Sequence, residues 1–274
     1  MHTQHFTISG ALNKPISIDL TTINNDPKPL VIFVHGFKGF KDWGTHQLVA
    51  KYFAQNGLDF LKFNFSHNGI GKADGDIFDD LNGFSENTFS KELFDLNQII
   101  TFSSSSEQFH KPTEIYLIGH SLGGGISIIQ TATDKAVSKL VSWASISSFR
   151  NLWSPEDDRL WLENGMLNFN NSRTNQQMPI KATLLEDLNE NTESLDILNA
   201  ARNISQPWLI IHGKADEGVP PAHALELHSQ KAESKLLLIP NADHVFCASH
   251  PWSIAELPIE LKIACDATIK FFGS

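Results

Sequence analysis

The 274-residue chain has no block of lysines or arginines, and its formal net charge is −10. The electrostatic footprint that nucleic-acid binding requires is therefore missing, and no nucleic-acid partner is expected. No window is apolar for long enough to cross a bilayer. The first residues, Met1-His2-Thr3-Gln4-His5-Phe6, lack the basic segment and apolar run of a secretory signal. These absences lead to the expectation of a soluble, cytoplasmic protein without a membrane partner. There are two cysteines, Cys247 and Cys265, too few for a disulfide framework. One bridge is the most they could form, and buried free thiols are the simpler expectation. None of the twelve histidines lies in a His-Glu-x-x-His pattern, so neither a metal nor a cofactor is expected. Asp74, Asp76, Asp79 and Asp80 form an acidic loop. It lacks the glycine and glutamate of an EF-hand loop and reads as a solvated turn. No internal repeat is visible.

What is present is an alternation of strand-like and helix-like segments, which predicts an α/β fold with a mostly parallel sheet covered on both faces. Phe6–Ser9 and Ile16–Leu20 read as a leading hairpin. Leu30-Val31-Ile32-Phe33-Val34 is a continuous apolar run, as expected of a strand buried on both faces. Helical spacing follows from Trp43 to Gln55, stopped by Gly57, then a strand at Phe60–Phe63 and a helix from Phe89 to Phe102 with a frayed end at Ser103–Ser106. Further strands are expected at Ile115–Ile118, Leu140–Ala144, Trp208–Ile211 and Leu236–Ile239. Helices are expected from Ser121 to about Thr133, through His223–Gln230, and from Ile259 to Phe271.

Between residues 149 and 203 this rhythm fails. The segment mixes Trp153, Trp161, Met166 and Phe169 with Glu156-Asp157-Asp158 and Glu186-Asp187, and is too long for a plain connection. It reads as an inserted lid over the sheet that shapes a substrate pocket, with 1–148 and 204–274 as the two parts of one core. Its exposed apolar residues leave two readings open, the wall of a pocket or the face of a homodimer.

The stretch Ile115–Gly125 carries the chemistry. An apolar strand breaks into Gly119-His120-Ser121-Leu122-Gly123 and continues as a helix, the pattern that projects a serine hydroxyl from a sharp turn. Glycines at both ends let strand and helix approach closely. Ser121 is thus the candidate nucleophile, and the N–H of Leu122, without a helical partner, is a candidate donor to a developing oxyanion. A serine needs a base, and the base an orienting acid, at the ends of later strands. Asp216 follows the strand at Trp208–Ile211, and His244 follows the next. Glu217 and Asp243 compete as acids, but Glu217 adjoins a better-placed shorter carboxylate, and Asp243 would have to turn back on its neighbour. His35 and His120 read as loop braces, His212 as the start of a turn, and His223, His228 and His250 as surface or cap positions.

The order Ser121, Asp216, His244 resembles the α/β-hydrolase superfamily, and the resemblance covers nearly the whole chain. His35-Gly36-Phe37 is similar to that family's oxyanion loop, which implies Phe37 as the second oxyanion N–H. Gly213-x-x-Asp216-x-x-Val219-Pro220 and Ala242-x-His244 are also similar. In the insertion, Asn171-x-Arg173 and Leu185-Glu186-Asp187-Leu188 resemble bacterial cinnamoyl (feruloyl) esterases. Phe63–Gly71 departs from the Gly- and Arg-rich loop of many relatives, and places His67 as a residue that could face the pocket. The resemblance implies a carboxylesterase-type serine hydrolase acting on a small-molecule ester, by an acyl-enzyme route. A peptidase would instead need a carboxylate to capture the substrate amine, for which Glu156, Asp157, Asp158 and Glu163 are available. A thioester hydrolase and a non-catalytic binding protein also fit the same fold; the latter would predict an eroded triad. Activity is expected to rise as His244 becomes neutral.

Overall fold

The computed structural model describes residues 1–71, 75, 77–105, 107, 108, 110–171 and 174–274. Asp74 and Asp76 of the acidic loop, Ser106 and Arg173 lie outside the described residues.

Strands β1 (His2–Ser9) and β2 (Pro15–Thr22) form an antiparallel hairpin. Then come β3 (Leu30–Val34), α1 (His46–Gln55), β4 (Asp59–Phe63), a short α2 (Leu81–Ser85), α3 (Phe89–Ser105), β5 (Ile115–His120), α4 (Leu122–Thr133) and β6 (Val137–Trp143). The next segment folds as α5 (Asp157–Asn164), a hairpin of β7 (Met166–Asn171) and β8 (Gln176–Lys181), α6 (Thr183–Glu190) and α7 (Ile197–Asn203). The alternation resumes with β9 (Trp208–Gly213), α8 (Ala222–Gln230), β10 (Lys235–Ile239) and α9 (Ile259–Phe272).

The eight-stranded sheet runs β1-β2-β4-β3-β5-β6-β9-β10; β2 pairs antiparallel with β1 and β4, and all the other pairs are parallel. From β3 the chain steps outward to β4, then returns across β3 to β5. The carboxyl ends of β3 and β5 therefore border the crevice where strand order reverses, the usual ligand position in an open α/β sheet.

Alternation along the strands divides the core. Leu30, Ile32 and Val34 pack with α3, α4 and α8 on one face, while Val31 and Phe33 pack with α1 and α9 on the other. Each such side chain, fully buried, contributes about 1.5–3 kcal/mol. Residues of the 149–203 segment join the first face: Phe149, Trp161, Met178, Ile180 and Leu184 belong to the same buried cluster as β3 and β5. The Trp161 indole N–H donates to the Ile180 carbonyl at 2.8 Å, and α7 packs on α4.

Three local readings need correction. Helix α3 does not fray at Ser103 but continues to Ser105. Ser104 and Ser105 each donate their hydroxyl to the carbonyl four residues back, so the polar run keeps helical geometry. His212 lies within β9, fully buried, rather than in a turn. Cys265 is a buried free thiol, but Cys247 is exposed. No helix among the described residues is long and apolar enough to cross a membrane.

Glu92 on α3 is buried, and burial pushes its carboxyl up to about 8, against the hydrogen bond donated by Asn87 Nδ2 at 2.7 Å. At neutral pH it is a neutral acid. Its Oε2 and the Asn87 Oδ1 are both buried without a hydrogen-bond partner among the described residues. The folded pKa exceeds the unfolded value, so the contribution of Glu92 to stability is full below about pH 4 and is lost as pH rises through about 8. Glu92→Gln is expected to raise the melting temperature at pH 8 and leave it nearly unchanged at pH 4, checked by thermal unfolding at both pH values.

Candidate active site

Ser121 follows β5 and caps α4 with φ 57° and ψ −119°, a strained conformation for a non-glycine residue that costs about 1–3 kcal/mol. Its N–H donates to the Trp143 carbonyl at 3.0 Å. Two glycines make the turn possible by their lack of a side chain. A Cβ on Gly119 would sit 2.3 Å from the Gly123 carbonyl oxygen, and one on Gly123 would sit 2.3 Å from that of Val34. Gly123→Ala is therefore expected to push the start of α4 away from β3. The expected losses are about 100-fold in kcat and about 1–3 kcal/mol in stability, read by steady-state kinetics and urea unfolding.

Ser121, His244 and Asp216 come together in one hydrogen-bonded line. Ser121 Oγ lies 3.0 Å from His244 Nε2, and His244 Nδ1 donates to Asp216 Oδ2 at 2.8 Å. Asp216 is buried, and its other oxygen accepts the Val219 N–H at 2.8 Å. Burial opposes its charge, but hydrogen bonds from His212, His244 and Val219 outweigh that and hold the carboxyl well below the usual range. His212 is a partner that the sequence does not announce: its Nε2 lies 2.8 Å from the Val219 carbonyl and 3.2 Å from Asp216 Oδ2. The competing acids are elsewhere engaged. Glu217 is exposed, and Asp243 Oδ1 accepts the N–H groups of Val245 and Cys247.

The two candidate oxyanion donors are aimed by the carbonyls of their own peptides. Gly36 O accepts from His35 Nδ1 at 3.0 Å and Gly39 N at 2.9 Å. In a trans peptide the Phe37 N–H then points the opposite way. Likewise Ser121 O accepts from Gly124 and Ile146, which turns the Leu122 N–H outward. Neither N–H has an acceptor among the described residues. Burial pushes His35 down to about 4, so its ring stays neutral and keeps that donor role. Beyond the loop, Lys41 and Lys62 are buried against Asp19 and Asp42, and the Lys41 N–H donates to Asn64 Oδ1 at 2.7 Å. This ionic cluster fastens the loop to β2 and β4.

Ser121 lines a cleft with a cavity of about 150 Å³, whose walls include Phe33, Trp143 and Leu261 together with His46, His120 and His244. No carboxylate lines it among the described residues. Nor does any described residue of 149–203. That segment instead closes a separate apolar space of about 10 Å³ behind Phe37 and Leu122, where Phe169 meets the Phe37 ring edge-on at 5.3 Å. The sequence could not reveal this, because the side on which an insertion packs is fixed by tertiary contacts. His67 does not line the cleft either. It is buried with Nδ1 on Ser66 Oγ, and burial pushes it down to about 4.

The remaining sequence candidates fall outside the cleft. Asp79 accepts the Gly71 N–H, and Asp80 caps α2 and pairs with Lys14. Among the described residues no group of three or more His, Cys, Asp and Glu is placed to hold a metal. His223 is not a plain surface residue: it shares Ser147 Oγ with Glu226, at 2.7 and 2.6 Å.

Over residues 25–152 the chain matches the family model described as serine aminopeptidase, S33. It is 24% identical over 219 residues to a protein of Escherichia coli described as uncharacterized protein YfhR, a match that covers 78% of this chain and 62% of the relative. Among solved structures, Est1E from Butyrivibrio proteoclasticus with bound ferulic acid superposes with a TM-score of 0.72. It is 19% identical and covers 98% of this chain and 97% of its own. A puromycin-hydrolyzing peptidase of Mycobacterium tuberculosis superposes at 0.68 with 15% identity, over 99% of this chain and 39% of the peptidase. Sheet order, strand directions and these superpositions agree: the polypeptide has the α/β-hydrolase fold and is similar in structure to an esterase of that fold.

Proposed function

We propose that the chain is a serine hydrolase that cleaves carboxylic esters of short or small aromatic acids through an acyl-enzyme on Ser121. The observation that carries this reading is the line Ser121–His244–Asp216 beside two N–H groups without acceptors among the described residues, in the lining of a largely apolar cleft. His244 Nε2 takes the Ser121 proton as Oγ attacks the acyl carbon, and the oxyanion is held by the N–H groups of Phe37 and Leu122. His244 then gives that proton to the departing alcohol, while Asp216 fixes the ring tautomer and stabilises the imidazolium. Water repeats the sequence on the acyl-enzyme and releases the acid.

A cavity near 150 Å³ is about the size that holds one benzene ring. Acetyl and butyryl esters and small aromatic acids are the acyl groups of that size. An aminopeptidase has support from the S33 match, but no carboxylate among the described residues lines the cleft to bind a substrate amine. None of the insertion's four candidate acids lines the cleft, and three are engaged elsewhere: Asp158 with Arg150 and Trp153, Glu163 with Arg159, and Glu156 with Ser154. The test is initial rates on p-nitrophenyl acetate, butyrate and octanoate, methyl ferulate and an aminoacyl-p-nitroanilide. The expected order places acetate and butyrate well above octanoate and the anilide last; a preference for the anilide would move the reading to a peptidase.

A further inference from the structure

The cleft contains two ring nitrogens that the proposed chemistry leaves idle. His46, the first residue of α1, directs Nδ1 at the Phe40 carbonyl at 3.2 Å. Because a carbonyl can only accept, Nδ1 carries the proton and Nε2 is left with a lone pair. His120 likewise directs Nε2 at the His244 carbonyl at 2.8 Å, which leaves its Nδ1 as an acceptor. Neither Nε2 of His46 nor Nδ1 of His120 has a hydrogen-bond partner among the described residues, and neither is among the atoms sealed from solvent. Both residues line the cleft that holds Ser121.

Both rings are held neutral. Burial drives His46 well below the ordinary imidazole range, with His120, Lys62 and His35 adding to the effect. Burial likewise pushes His120 down to about 3. The acceptors therefore persist across the working pH range. Their position is fixed: His46 packs edge-on against Phe33 at 4.6 Å, and His120 lies 5.0 Å from the His244 ring. The cleft also holds Lys38 and no carboxylate among the described residues, so a cationic donor is disfavoured and an uncharged one suits it.

We infer that the cleft selects acyl groups bearing a hydroxyl, which donates to the free nitrogen of His46, with His120 as the neighbouring acceptor. This rests on the esterase reading and names its substrate class. The acyl part is assigned to the cleft because the space behind Phe37 and Leu122, about 10 Å³, holds no more than a water. The alcohol part departs beside His244, whose side chain is 29% exposed. An apolar pocket alone discriminates weakly over an added hydroxyl, whereas a placed acceptor left unpaired penalises the analogue that lacks it.

The experiment compares kcat/KM for p-nitrophenyl 2-hydroxybutyrate and 3-hydroxybutyrate with that for p-nitrophenyl butyrate, in wild type, His46→Leu and His46→Gln. Wild type is expected to favour one hydroxy ester by about tenfold or more. His46→Leu is expected to bring that ratio to about one or below, and His46→Gln, which keeps an acceptor, to restore part of it. Each ratio is internal to one protein, so loss of folded enzyme does not mimic the effect. A wild-type ratio near one for both hydroxy esters, or a ratio that His46→Leu leaves intact, would overturn the inference. Failure of the esterase reading looks different: no ester would be cleaved faster by wild type than by Ser121→Ala.

Discussion

Ser121→Ala is expected to lower kcat on p-nitrophenyl butyrate by roughly 10⁵- to 10⁶-fold while the protein still folds. The size follows from the proposed route. Without Oγ no acyl-enzyme can form, and the two N–H groups and the cleft retain only the smaller part of catalysis that binding and oxyanion stabilisation supply. Folding should survive because the backbone turn is set by other groups. The Ser121 N–H is bound to Trp143 O and its carbonyl to Gly124 and Ile146, and none of these bonds uses the hydroxyl. The check is steady-state kinetics beside circular dichroism and thermal unfolding. Near-native activity in a folded mutant would remove Ser121 from the chemistry.

Asp216→Asn is expected to cost about 10⁴-fold in kcat with little change in KM. The carboxylate accepts from Val219 N–H on one oxygen and from His244 Nδ1 on the other. An asparagine that keeps the Val219 bond turns its NH₂ to His244. The ring must then carry its proton on Nε2, where it cannot take one from Ser121. The same geometry fixes the pH response. Hydrogen bonds hold the Asp216 carboxyl below its ordinary value despite burial. Its contribution to stability is therefore full above the unfolded value, near pH 4, and is lost as pH falls below that through the depressed folded value. A base protonated at His244 and a fold weakened at Asp216 are thus two distinct acid effects, the second confined to pH below that unfolded value. A rate profile and an unfolding profile measured together from pH 3 to 9 separate the two, and a flat rate over pH 5 to 9 would count against His244 as the base.

Much of the fold is legible in the amino-acid order, because strands buried on both faces and the Gly-x-Ser-x-Gly turn are written locally. Leu30–Val34 and the break after His120 carry their geometry in neighbouring residues. The line Ser121–His244–Asp216 is legible because strand ends deliver those residues to one edge in chain order. What escapes a linear reading depends on residues distant in sequence. The side on which the insertion packs is decided by Trp161, Met178 and Ile180 finding the α3–α4 face, and no periodicity encodes that choice. His212 reads as the start of a turn in sequence but belongs to the last buried stretch of strand before Asp216, and its contact with the carboxylate exists only once β9 is placed. His46 falls inside the expected Trp43–Gln55 helix, and its ring acquires meaning only once folding brings it into the same cleft as Ser121.

The most direct test of the central proposal is covalent labelling with a fluorophosphonate, followed by intact-mass measurement and peptide mapping. The proposed chemistry predicts a single adduct on Ser121, absent in Ser121→Ala and formed far more slowly in Asp216→Asn. An adduct on another serine, such as Ser147 between His223 and Glu226, or undiminished ester turnover with no adduct at all, would contradict it.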